Sequence, residues 1–130
     1  MSVLDQLKID EAFRGKPYKC TAGKTTIGYG RNLDDNPLTE EEAEYLLKND
    51  LEKVSYECCK LPYFSELSIV RRSVILNMVF NLGMPRFKKF KKMNKALSEK
   101  NYLLASIEML DSKWARQVGD RAIRLSELMK

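Results

Sequence analysis

Histidine is absent from all 130 residues, and that absence narrows the chemistry more than any other feature of the chain. Without an imidazole there is no Ser-His-Asp or Cys-His nucleophile pair and no His-based zinc site. Catalysis by carboxyl groups, alone or with a held water, survives the exclusion. Cysteine is scarce, and its three copies cannot all pair within one chain. Cys58 and Cys59 are neighbours in a helical pattern, where a mutual disulfide would be badly strained. A reduced, cytosolic protein is the expectation. Long apolar runs are also missing: no stretch could span a membrane, and the opening Met-Ser-Val-Leu-Asp-Gln-Leu-Lys lacks the core of a signal peptide.

What is present is a basic surplus. Lysine and arginine number 23 against 18 acidic residues, a net charge of +5 with an isoelectric point near 9.1. That balance favours an anionic partner, whether nucleic acid, membrane surface or cell-wall polymer, without choosing among them. The length suits one domain with a sizeable core.

Residues 2–12 carry a helical pattern with Val3, Leu4, Leu7 and Ile9 near one face. Residues 15–35, punctuated by Gly15, Pro17, Gly23, Gly28 and Gly30, read as two or three short strands. Asp34-Asp35-Asn36-Pro37 is a turn. Thr39-Glu-Glu-Glu42 forms a capping box, and its glutamates suit the positive end of a helix dipole. The helix it opens runs to about Lys60 and spans roughly 30 Å. A second helix is expected from about Ser65 to Leu82, apolar on most faces and so the buried centre of a bundle, with Gly83 as its stop. Shorter helices are expected over about 87–97, 101–110 and 120–129.

The chain is organised around residues 11–26. Glu11 closes the first helical pattern, eight residues separate it from Cys20, and five more separate Cys20 from Thr26. A helix end followed by a hairpin can fold a thiol and a hydroxyl back towards a carboxyl. With Pro17-Tyr18-Lys19 and Thr26-Ile27-Gly28-Tyr29-Gly30 around it, this pattern resembles the phage-type lysozymes, the endolysins of glycoside hydrolase family twenty-four. Their spacing is Glu, eight residues, Asp or Cys, five residues, Thr. The run Arg71–Gly83 and the segment Ser112–Ala122 resemble the same family's central and closing helices.

The resemblance implies an α+β, mainly helical, lysozyme-like fold forming a single domain over residues 1–130. A lobe over residues 13–60 would hold a small antiparallel sheet and the long connecting helix. A helical lobe would comprise residues 61–130 with the helix 2–12. It implies hydrolysis of the β-1,4 bond between N-acetylmuramic acid and N-acetylglucosamine in bacterial peptidoglycan, with neither metal nor cofactor. Glu11 would protonate the leaving oxygen, and Thr26 would hold the attacking water. Gly30, Phe80, Asn81, Trp114 and Arg121 would line the saccharide cleft, with Arg121 reaching Glu11.

Cys20 stands where many family members have aspartate. Its thiol could accept a hydrogen bond from water, act as base or nucleophile through its thiolate, or simply pack as a small apolar residue. An ordinary thiol is mostly neutral at pH 7, and a nearby carboxylate would keep it so. Phe80 and Trp114 could equally be core aromatics, and Gly30 could admit a neighbouring strand rather than a sugar.

A lytic transglycosylase, in which one glutamate suffices, is the rival within the enzyme class. Outside it stands a binding module for cell wall or nucleic acid. The densest positive run, Arg86 to Lys95, has no nucleic-acid motif beside it, so no nucleic-acid partner is expected. A monomer is expected, made in the host cytoplasm and released to the wall by a separate agent such as a holin.

Overall fold

The computed structural model describes residues 1–130. Eight α-helices and one three-stranded antiparallel sheet give an α+β, mainly helical protein. The chain falls into two compact units, Met1–Leu46 and Leu47–Lys130. No helix is long and apolar enough to cross a membrane.

The first unit opens with α1 (Val3–Glu11), whose Ser2 hydroxyl accepts the Asp5 amide at 3.1 Å. The helix stops because Ala12 turns to φ +55°, a conformation costly for a side-chain-bearing residue. The chain then enters β1 (Arg14–Lys19), β2 (Thr25–Gly28) and β3 (Arg31–Asn32), paired in sequence order. Tyr18 pairs with Thr26 and Lys19 with Thr25, while the ladder is irregular between Arg14 and Tyr18, where Pro17 offers no amide. Cys20 to Gly23 make the first turn: the Gly23 amide reaches the Cys20 carbonyl at 2.8 Å. Ile27 pairs with Arg31, so Gly28, Tyr29 and Gly30 form the second, tighter connection.

α2 (Glu40–Cys58) begins with the anticipated capping box. The Glu42 amide donates to the Thr39 hydroxyl at 3.1 Å, and the Thr39 amide donates to the Glu42 carboxylate at 2.9 Å. The same carboxylate takes both arms of the Arg31 guanidinium, at 2.6 and 2.9 Å. Arg31 further donates to the carbonyls of Asn36 and Pro37, at 2.7 and 2.6 Å. One side chain thus ties β3, the 33–39 loop and the start of α2 together.

The second unit centres on α3 (Ile69–Leu82), which buries Val74, Ile75, Met78, Val79 and Leu82. This helix starts four residues later than the apolar pattern suggests. Phe64–Glu66 form a separate 3₁₀ turn, and Ser68 caps α3 by accepting the Arg71 amide at 3.2 Å. Gly83, at φ +82°, ends it as expected.

The helix anticipated over residues 87–97 is instead two, α4 (Met84–Phe87) and α5 (Lys91–Ser98). The Asn94 amide nitrogen donates to the carbonyls of Phe87 and Phe90, at 3.2 and 2.9 Å, and so stabilises the break. α6 (Tyr102–Leu110) and α8 (Asp120–Met129) fall where expected, and between them lies an unanticipated α7 (Lys113–Val118), capped by Ser112. Phe87, Met93, Leu97, Met109 and Met129 fill the core among these helices.

The Arg31–Glu42 pair makes the fold's acid response calculable in sign. Arg31's hydrogen bonds first, and the Thr39 amide second, hold the Glu42 carboxyl at about 2 against an ordinary 4.5. A depressed folded pKa adds stability that is fully present above the unfolded value and lost as pH falls through the folded one. Between pH 5 and pH 2 the parent should therefore lose an increment of stability that Glu42→Gln does not. Parallel melting curves for the two proteins across that window would contradict the assignment.

Candidate active site

Glu11 is the last residue of α1, and the positive φ of Ala12 directs the chain away immediately after it. Its exposed carboxylate lies on the backbone of Gly30. A Cβ built on Gly30 would stand 2.6 Å from Glu11 Oε2 and 3.1 Å from its carboxyl carbon. Gly30 also holds φ +75°, so two independent constraints require glycine there. A sugar or a neighbouring strand was the expected neighbour of Gly30; within this unit the close approach is made by the Glu11 carboxylate instead.

Cys20 and Thr26 are brought together at the other end of β2. The Cys20 thiol is half-buried in its turn, facing the Lys24 and Ala22 amides and the Thr26 hydroxyl. These lower its pKa, the Lys24 amide contributing most, then the Ala22 amide, against a smaller opposing effect of burial. The sequence led to the opposite expectation, a thiol kept neutral by a neighbouring carboxylate. Backbone amides gathered by a tight turn favour the thiolate instead, because each presents a positive hydrogen to the sulfur.

Thr26 is 4% exposed and donates to the Lys24 carbonyl at 3.0 Å. It owns a single proton, so the carbonyl and the Cys20 sulfur compete for it. A neutral thiol can donate to the threonine oxygen, whereas a thiolate attracts the threonine proton. The pair can therefore pass from one hydrogen-bond arrangement to the other as Cys20 changes charge. The other two cysteines offer no such setting: Cys58 is buried, its pKa raised to about 11 chiefly by desolvation, and Cys59 is exposed at the end of α2.

The remaining predicted residues belong to the second unit. Trp114 is a core residue at 3% exposure, edge-on to Phe90 with ring centroids 6.3 Å apart. Its indole nitrogen donates to Asn81 Oδ1 at 2.8 Å, which satisfies the buried donor and orients Asn81 on the surface. Phe80 is 40% exposed and lines a cavity of about 440 Å³ with Leu47, Leu51, Leu76, Asn77 and Arg121. Arg121 Nε donates to Asn77 Oδ1 at 2.9 Å. Phe80 and Arg121 are thus brought to one cavity, which Asn81 and Trp114 do not line.

Two participants escaped the sequence reading. Asn77 is one, although an asparagine inside so apolar a helix is a signal that a partner is being held. Arg31 is the other, with no local signal because its carboxylate partner lies 11 positions away. No group of three acidic or thiol side chains gathers closely enough to hold a metal ion.

The fold is that of a mainly helical α+β protein whose first unit carries a carboxyl, a thiol and a hydroxyl and no imidazole. The phage lysozyme family matches residues 8–129, and the chain belongs to it. It is 28% identical to the probable T4-type lysozyme 2 of Dictyostelium discoideum, an alignment covering 95% of this chain and 91% of that protein. It is 33% identical to an endolysin of Acyrthosiphon pisum secondary endosymbiont phage 1, covering 95% of this chain and 85% of the relative. It is also 27% identical to the pre-baseplate central spike protein Gp5 of Enterobacteria phage T4, matching 99% of this chain but 28% of that longer protein. The Dictyostelium alignment runs over 154 positions, more than the 130 residues of this chain, so that relative carries segments this one lacks.

The packing of Glu11 on Gly30 can be read by a double-mutant cycle. Gly30→Ala should destabilise by about 1–2 kcal/mol, from the left-handed φ together with the clash. Adding Glu11→Ala should recover only the steric part. Strict additivity of the two changes in thermal or denaturant unfolding would show that the carboxylate does not touch Gly30.

Proposed function

We propose that the protein is a muramidase that hydrolyses the β-1,4 bond between N-acetylmuramic acid and N-acetylglucosamine in bacterial peptidoglycan. The observation that carries this reading is the placement of two different proton-handling groups along one strand. Glu11 rests on Gly30, in the connection that follows β2, and Thr26, with the Cys20 thiol against it, lies within β2. An acid on one side and a group that handles water on the other are the parts an inverting glycosidase requires.

In this mechanism Glu11 gives its proton to the leaving glycosidic oxygen, which would otherwise depart as an alkoxide. Water attacks the anomeric carbon from the opposite face. The Cys20 thiol, which the turn amides shift towards the thiolate, would accept the proton of that water, a task a neutral thiol performs poorly. The Thr26 hydroxyl, free to shift its proton, holds the water or the sulfur in register. In the second unit, Phe80 and Arg121 offer an apolar face and a cation suited to sugar, and Trp114 serves by orienting Asn81.

A lytic transglycosylase uses the same acid but needs no group to activate water. The amide-lined thiol favours hydrolysis over that rival. As a monomer made in a reducing cytoplasm, the protein would act for host cell lysis after crossing the membrane through a separately formed lesion. The lobes of this reading are residues 13–60 and residues 61–130 with the helix 2–12.

Glu11→Gln keeps shape but removes the proton donor, and should abolish cleavage of purified wall with little change in thermal transition. Cys20→Asp should retain substantial activity, and Cys20→Ala should fall at least about tenfold further, the lower end of a general-base contribution being about a hundredfold. An active Glu11→Gln protein would overturn the acid assignment. Equal rates for Cys20→Ala and parent would leave the thiol a packing residue.

A further inference from the structure

The net charge of +5 is not spread over the molecule. Between Glu66 and Glu99 there is no acidic residue, while Arg71, Arg72, Arg86, Lys88, Lys89, Lys91, Lys92 and Lys95 all fall in that interval. These eight cations exceed the charge of the whole chain, so the remainder is net acidic. Arg71 and Arg72 are committed to the fold, donating to carbonyls of Met129, Lys130, Phe64 and Ser65. The other six are exposed, and only Lys95 has a carboxylate within reach, Glu99 at 3.9 Å.

Two features argue that these lysines are not merely a solvated face. The first is where they stand on α5. Lys91 and Lys92 occupy its first turn, which has neither an acidic residue nor a capping side chain. Cations at the positive end of a helix dipole oppose the helix they sit on. A sequence that retains two of them there departs from what the local fold favours, and such departures concentrate at functional positions.

The second feature is the base beneath them. Lys88 and Lys89 project from the α4–α5 turn, which Asn94 holds by the Phe87 and Phe90 carbonyls while the Tyr63 hydroxyl donates to Asn94 Oδ1 at 2.5 Å. Phe87, Met93, Ala96 and Leu97 are buried underneath. The charges are therefore presented from a braced platform, not from a loose loop.

The chemistry of the patch selects its partner. Met93, Ala96 and Leu97, the apolar residues of α5, are buried, so the lysine-bearing helix has no apolar face of its own to lay into a bilayer. No exposed aromatic stands among the lysines to stack a base, and five of the six cations are lysine, which neutralises phosphate as a point charge without reading a base edge. We propose that the Arg86–Lys95 surface is a second attachment site, for a linear polyol- or sugar-phosphodiester polymer of the bacterial envelope. Such a polymer offers regularly repeated charge without bases or acyl chains. The choice of an envelope polymer rests on the muramidase reading above. The site would hold the enzyme on the wall while the saccharide is cut elsewhere on the molecule.

The test uses soluble poly(glycerol phosphate), with no wall present, and the full chain. Titration calorimetry should detect binding that weakens on the order of 50-fold between 50 and 200 mM salt, as about four neutralised phosphates require. Lys88→Glu/Lys89→Glu/Lys91→Glu/Lys92→Glu should lose at least about tenfold in affinity. Its thermal transition should hold or rise, since glutamates in the first turn of α5 suit the dipole. Lys8→Glu/Lys16→Glu/Lys53→Glu, which lowers net charge elsewhere, should bind like the parent. No binding by the parent, equal affinity for a single-stranded oligonucleotide or for phosphatidylglycerol vesicles, or a lysine variant that binds normally would each overturn the proposal. So would a fall in the variant's thermal transition, which would show the lysines serving the fold. Cleavage of polymer-free wall by parent and variant is assayed separately: its absence in the parent would sink the muramidase reading without touching the binding result.

Discussion

Arg31 bonding to Glu42 is the contact on which the arrangement of the first unit depends. The strand β3 is two residues long and could not define its own position. Both arms of the guanidinium grip the carboxylate that also closes the capping box of α2. Bidentate geometry fixes direction as well as distance. The residue before Arg31 is Gly30, whose backbone carries the Glu11 carboxylate, so the brace and the proposed acid are separated by one peptide unit. Misplacing β3 would move the surface on which Glu11 rests. Through Gly30, Arg31 thereby bears on where Glu11 sits.

The two halves of the proposed chemistry are built by different means. Glu11 is placed by a helix that must end, because Ala12 leaves the helical region, and by a glycine with no side chain to obstruct it. Cys20 is placed by a turn, and the turn's own amides supply the electrostatics. A carboxylate at that position would be ionised at neutral pH without assistance. A thiol is mostly neutral there, and the Lys24 and Ala22 amides shift it towards the thiolate. The turn thus shifts the sulfur part of the way towards the anionic character that a carboxylate would have there.

Features with local causes were legible in the residues. The Thr39 cap, the short strands that follow the first helix and the stop at Gly83 each follow from chemistry within four or five positions, and the structure contains them all. What the sequence concealed was set at longer range. Phe87–Leu97 has a continuous apolar period, yet the Asn94 side chain, itself bonded by Tyr63 from 31 positions away, favours a break after Phe87. Ser112 was noticed only as part of a family segment, and the helix it caps was missed because α7 is six residues long. The direction of the Cys20 pKa was misjudged because amide orientation in a turn leaves no mark on residue type. Trp114 was open between cleft and core. Its burial places it in the core, and its bond to Asn81 gives it a surface consequence as well.

The central claim is that water, managed from the Cys20–Thr26 side, is the nucleophile. Digesting purified peptidoglycan in ¹⁸O-enriched water and weighing the products tests it most directly. The account predicts reducing-end muramic acid carrying one heavy oxygen at the anomeric carbon, with inverted configuration in the first product formed. Unlabelled 1,6-anhydro muramic acid as the main product would contradict it, since an internal sugar hydroxyl would then have done what the thiol and threonine are here assigned to make water do.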